Sequence, residues 1–126
     1  MMRKKQINAA KAPAAVGPYS HAILSGDTLY ISGQLGLDPQ TGELKEGVEA
    51  QAEQGFKNLG TILKEAGFGF ADVVKTTVYL VDMGDFAKVN AIYAEYFKEW
   101  LPARSAIAVK ELPKGGLFEV EAIAVK

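Results

Sequence analysis

Apolar residues recur along this chain in two rhythms, a period of two and a period near 3.6, and the switches between them mark out the elements. Ser20–Leu24 and Thr28–Leu35 alternate as strands, and Ser25-Gly26-Asp27 between them is a tight hairpin signal. Gly33 interrupts the second strand, where a glycine marks a bulge or a close approach by backbone or ligand. Residues 38–47 are turn-rich. Val48, Ala52, Phe56, Leu59, Leu63 and Ala66 then fall on one face of a helix that Gly67 is placed to cap. Gly55 and Gly60 inside it weaken a helix, which suggests close packing.

Residues 73–81 are rich in β-branched side chains and apolar on both alternating faces, as in a strand covered on both sides. A second helix is expected from about Asp85 to Trp100, with Phe86, Val89, Tyr93, Phe97 and Trp100 as its stripe and Asn90 one step off it. Pro102 ends the helix, 103–109 reads as a strand, Pro113–Gly116 as a loop and Leu117–Val125 as the last strand. Residues 1–16 show no strong periodicity before Ala12, and Gly17-Pro18 forces a turn. The order is β-β-α-β-α-β-β: one α+β domain, residues 1–126, with a mixed sheet carrying both helices on one face. Two helices leave the other face bare, so a further subunit is expected to cover it.

Composition narrows the chemistry. Cysteine is absent and His21 is the single histidine, which removes thiolate nucleophiles and makes a transition-metal site improbable. A net charge of -1 argues against binding nucleic acid by bulk electrostatics. The basic start, Met1-Met2-Arg3-Lys4-Lys5, leads into no apolar run of signal-peptide length, and no stretch reaches the ~20 apolar residues of a spanning helix. A cytoplasmic protein without membrane contact is the expectation.

Candidate chemistry centres on Arg104. A guanidinium at a strand start offers a planar fork of donors that fits a carboxylate in two parallel bonds. Its plainer reading is a snorkelling side chain, or a structural pair with Glu119 or Glu121. On the last strand Glu119, Glu121, Ile123 and Val125 share one face, and carboxylates on a partly covered face need a partner or a job. Ser20 and His21 are adjacent and point to opposite faces of a strand, so they form no serine–histidine pair; His21 reads as packed or solvated. Walker loops, dinucleotide fingerprints, zinc-protease helices and nucleophile elbows are absent.

Six stretches in order and at these spacings carry a resemblance: Gly17-Pro18-Tyr19-Ser20, Ile31-Ser32-Gly33-Gln34, Val74–Val78, Met83–Phe86 with Val89-Asn90, Pro102-Ala103-Arg104-Ser105, and Glu119–Ala124. Over nearly its whole length the chain resembles the reactive intermediate deaminase A (Rid, or YjgF-like) family. The resemblance implies a chorismate-mutase-like fold and a homotrimer with active sites between subunits. It implies hydrolysis of 2-imino and 2-enamino acids, such as 2-iminobutanoate and 2-iminopropanoate, to 2-oxo acids and ammonia, with no cofactor and no metal. Carried onto this chain, it makes Arg104 the carboxylate clamp, assisted by backbone N–H groups near Gly33 and Ala106. Glu119 would orient or activate the water, and Tyr19, Ser32 and Asn90 would line the pocket. The chain departs from many members at Ala106, where they carry cysteine, and at His21, where glutamine is common. Each residue also has a structural reading: Tyr19 as a buried hairpin anchor, Ser32-Gly33 as an ordinary bulge, Asn90 as a loop partner, and Glu121 as the most structural of the set. A non-catalytic module binding 2-oxo acids or other small carboxylates is the alternative function, and an RNA-cleaving role draws no support from the charge or the lone histidine.

Overall fold

A computed structural model describes residues 3–126; Met1 and Met2, the first residues of the basic start, lie outside the described residues. The hairpin forms as its turn chemistry dictates: β2 (Ala22–Ser25) and β3 (Thr28–Leu35) pair antiparallel across Gly26-Asp27, with Gly26 at φ 59°, a backbone conformation glycine adopts without strain. A strand not expected from the sequence, β1 (Lys4–Ile7), pairs antiparallel with β2. Only Ile7 of its four residues is buried, so the edge strand is held by backbone pairing and leaves almost no apolar alternation to read.

Helix α1 (Val48–Glu65) buries Ala52, Phe56, Leu59, Ile62 and Leu63 and ends as anticipated: Gly67, at φ 82°, and Phe68 donate back to the carbonyls of Lys64 and Leu63. Close packing explains Gly55, where an added Cβ would lie 2.6 Å from the Phe118 ring. Strand β4 (Val73–Leu80) leads to α2 (Phe86–Tyr96), then β5 (Ala103–Ala108) and β6 (Phe118–Val125). The second helix therefore stops four residues short of Trp100. Phe97 leaves helical geometry to pack edge-on against Phe56 and Phe70, while Trp100 remains exposed. The architecture is mixed α+β: one six-stranded sheet in the order β1-β2-β3-β6-β4-β5, antiparallel except for the parallel β4–β5 pair.

Both helices lie on one face. Phe118, Val120, Ala122 and Ala124 of β6 and Thr76, Val78 and Leu80 of β4 point beneath them into the core, centred on Phe56, which contacts the rings of Tyr93, Tyr96, Phe97 and Phe118. The opposite face of the single chain is uncovered. It carries Tyr30, Lys75, Thr77, Tyr79, Glu119, Glu121 and Ile123, half-buried or exposed, so β4 is less apolar on that side than its composition suggested. A groove of about 320 Å³ runs across it between Tyr30, Ser32, Lys75 and Glu121. No helix among the described residues is long and apolar enough to cross a membrane.

Candidate functional site

The candidate residues fall into two separate clusters. The first surrounds Arg104. Strand β5 is paired with β4 so that Arg104 lies beside Thr76, whose side chain is fully buried, and this register sends the arginine toward α2. Its Nη1 donates to Asn90 Oδ1 at 2.7 Å, and the guanidinium lies 4.7 Å from the Tyr93 ring centroid and 5.3 Å from that of Phe86. An exposed cation is thereby held by one amide oxygen and two aromatic faces, an arrangement that leaves donors on the fork for an anion. The cleft beside it, about 400 Å³, is walled by Asn90, Tyr93, Ala94, Phe97, Leu101 and Pro102. Ala106 follows two residues along β5 on the same side.

The second cluster lies where the N-terminal segment crosses β3. Tyr19, Gly33 and Glu119 line a cleft of about 50 Å³ with Pro13, His21 and Pro113. His21 is buried and serves as a strut: its Nδ1 accepts from the Ala9 N–H at 3.0 Å, and Nε2 lies 2.8 Å from the Pro13 carbonyl, so the proton sits on Nε2. The packed reading of this histidine holds. Ser32 donates from its hydroxyl to the Ser20 carbonyl at 2.7 Å, and its N–H donates to the His21 carbonyl, which ties β3 to the Tyr19 segment. Tyr19 is exposed, not the buried anchor of the plainer reading, and its hydroxyl accepts from the Val16 N–H at 3.3 Å.

Glu119 is half-buried, and loss of solvent, helped by the nearby charge of Glu121, pushes its carboxyl above the usual range. Glu121 accepts a hydrogen bond from the Tyr79 hydroxyl at 3.0 Å, in keeping with a structural duty. Desolvation raises the Tyr79 hydroxyl as well, with the Glu121 bond adding to it.

The two clusters do not meet. Strand parity puts Arg104 on the helix side of the sheet with Thr76, whereas Glu119, paired with Tyr79, lies on the open side. The structural pairing of Arg104 with Glu119 or Glu121 is thus replaced by the bond to Asn90. Tyr93, Phe86 and Thr76 are the contributors the sequence reading missed as site residues; the spacing of Tyr93, three residues after Asn90 on one helix face, was the available signal. Among the described residues no cluster of histidine and acidic side chains is suited to a metal ion.

The class the structure defines is a single mixed α+β domain with an exposed arginine on the helix side of its sheet and a half-buried carboxyl, held above its usual pKa, on the open side. The family model described as endoribonuclease L-PSP matches residues 9–126, and the chain belongs to that family, the Rid/YjgF group. A Mus musculus protein named 2-iminobutanoate/2-iminopropanoate deaminase is 56% identical over 124 residues, covering 98% of this chain and 92% of the relative. Among solved structures, RidA from the Antarctic bacterium Psychrobacter sp. PAMC 21119 is 51% identical with a TM-score of 0.95, covering 97% of this chain and 99% of that one. E. coli TdcF, solved with bound serine, is 39% identical with a TM-score of 0.93, covering 97% and 98%.

Proposed function

We propose that this protein is a 2-iminobutanoate/2-iminopropanoate deaminase, hydrolysing the C=N bond of small 2-imino acids, and of their 2-enamino tautomers, to 2-oxo acids and ammonia. The observation that carries the reaction is the 56% identity over 98% of the chain to the mouse protein of that name. The geometry supports the following roles. Arg104, braced by Asn90, grips the substrate carboxylate with its remaining donors, and N–H groups near Gly33 and Ala106 assist. Glu119 in its ionised form takes a proton from water as the oxygen adds to the iminium carbon and gives that proton to the amine nitrogen; the carbinolamine hydroxyl then loses its proton to the freed carboxylate as C=O forms and the C–N bond breaks, releasing ammonia. Tyr19 and Ser32 complete the wall around the C=N group. Positioning a water against an already electrophilic carbon is the main catalytic demand, and neither a metal nor a cofactor is required.

Opposite-face placement of Arg104 and Glu119 supports a site shared between copies: the Arg104–Asn90 half from one chain and the Tyr19–Ser32–Gly33–Glu119 half from a neighbour, in a homotrimer whose open sheet faces turn inward. The lone histidine, engaged at both ring nitrogens by backbone, favours this reading over acid–base cleavage of RNA. The test couples the protein to a threonine dehydratase and follows 2-iminobutanoate; decay no faster than in buffer refutes the activity. Calorimetry with 2-oxobutanoate alongside it distinguishes an enzyme from a module that binds small carboxylates without turnover.

A further inference from the structure

Strand β3 gains one residue over β6 within the site. Ile31 pairs with Ala122 and Gln34 with Val120, so β3 advances three residues while β6 advances two, and the bulge falls on Ser32-Gly33. Its consequence is steric. A Cβ built on Gly33 would lie 2.6 Å from Glu119 Oε2, 2.8 Å from Cδ and 3.2 Å from Cγ, so the carboxylate occupies the space that any side chain at position 33 would fill. Backbone freedom is not the reason for glycine here, because Gly33 is not among the glycines with positive φ.

We propose that Gly33 is a positioning residue for Glu119, its missing side chain opening the slot that holds the carboxylate against the β3 bulge. This rests on the reading of Glu119 as the water-activating base. The slot withdraws one face of the carboxylate from solvent, and that loss of solvent is the principal cause of the raised carboxyl pKa. Of the other titratable groups near it, the charge of Glu121, bonded to Glu119's register partner Tyr79, adds a smaller push in the same direction, while His21 is held by the Ala9 and Pro13 backbone and Tyr19 accepts from Val16.

Gly33→Ala tests the proposal, because the added methyl meets the far end of a flexible side chain and the fold survives while Glu119 swings aside. Side-chain carbon NMR on glutamate-labelled protein, with the resonance assigned through Glu119→Gln, reads the carboxyl titration without reference to turnover. In Gly33→Ala the midpoint is expected to fall toward the ordinary glutamate range; an unmoved midpoint overturns the proposal. In parallel, kcat toward 2-iminobutanoate is expected to drop about 10²-fold in Gly33→Ala, the order of loss for a base misplaced by about 1 Å. Added to Glu119→Gln, the same substitution should lower kcat no further, any loss of the carboxylate contact at the Gly33 N–H being read in KM; a further fall in kcat as large as in the wild-type background would mean that Gly33 does not act through Glu119 and overturn the proposal. A wild-type protein without deaminase activity would sink the base assignment while leaving the NMR comparison to decide the Gly33–Glu119 relationship.

Discussion

The Tyr93 hydroxyl lies 2.8 Å from Thr76 Oγ1, and Thr76 is the register partner of Arg104, whose guanidinium stacks over the same Tyr93 ring. One buried hydrogen bond thus fixes the aromatic platform on α2 relative to the strand pair that carries the cation. Thr76→Val keeps the volume and leaves the tyrosine hydroxyl unpaired, a loss of about 1–3 kcal/mol in denaturant unfolding. The loosened platform should raise KM for the imino acid several-fold with little change in kcat; an unchanged KM would separate Tyr93 from the function of Arg104.

Arg104→Ala removes an exposed side chain and should leave the fold and assembly intact while kcat/KM falls by two orders of magnitude or more. That scale follows from two charge-assisted bonds of about 1.5–3 kcal/mol each. Arg104→Lys should recover little, because a point charge cannot reproduce the fork. Circular dichroism beside steady-state kinetics checks both.

With Glu119 as the proposed base, the pH profile follows from it. A base must be ionised, and burial holds this carboxyl above its ordinary value, so kcat/KM should fall on acidification at a higher pH than an unperturbed glutamate would give. Glu119→Gln should abolish that acidic limb along with most of the rate. Folding linkage runs the other way: a carboxyl whose folded pKa is raised favours the native state at low pH, and that contribution is lost as pH rises through the folded pKa.

Mixing two inactive variants examines the shared site. If Arg104 and Glu119 act from neighbouring copies, co-refolded Arg104→Ala and Glu119→Gln chains in equal amounts should regain about a quarter of wild-type activity, the random chance that a junction receives both intact halves. No recovery in assembled hybrids would place the whole site within one chain.

Core glycines separate by what surrounds them. Gly36→Ala would put a Cβ 2.3 Å from the Gln51 carbonyl oxygen, rigid helix backbone, whereas Gly55→Ala meets the Phe118 ring edge. Gly55→Ala should cost about 1–3 kcal/mol, Gly36→Ala distinctly more, and Phe56→Ala, at the hub of the aromatic cluster, about 3–5 kcal/mol. Thermal denaturation of the three variants tests the ranking.

The sequence by itself determined the α+β class, five of the six strands, both helices, the Gly26 turn and the Gly67 helix stop, because local φ/ψ preference and apolar periodicity encode these within a few residues. It also marked Arg104, the carboxylate pair Glu119 and Glu121, and Gly33 through their type and place on strands, while the choice of Glu119 came from the family resemblance. Tertiary structure alone decided the rest. β1 exists only by pairing with β2, the end of α2 is set by where Phe97 finds its aromatic neighbours, and the platform under Arg104 needs β4, β5 and α2 brought together. That Arg104 and Glu119 face opposite sides of the sheet follows from a strand order and register spanning residues far apart in the chain, and no short-range pattern carries that information.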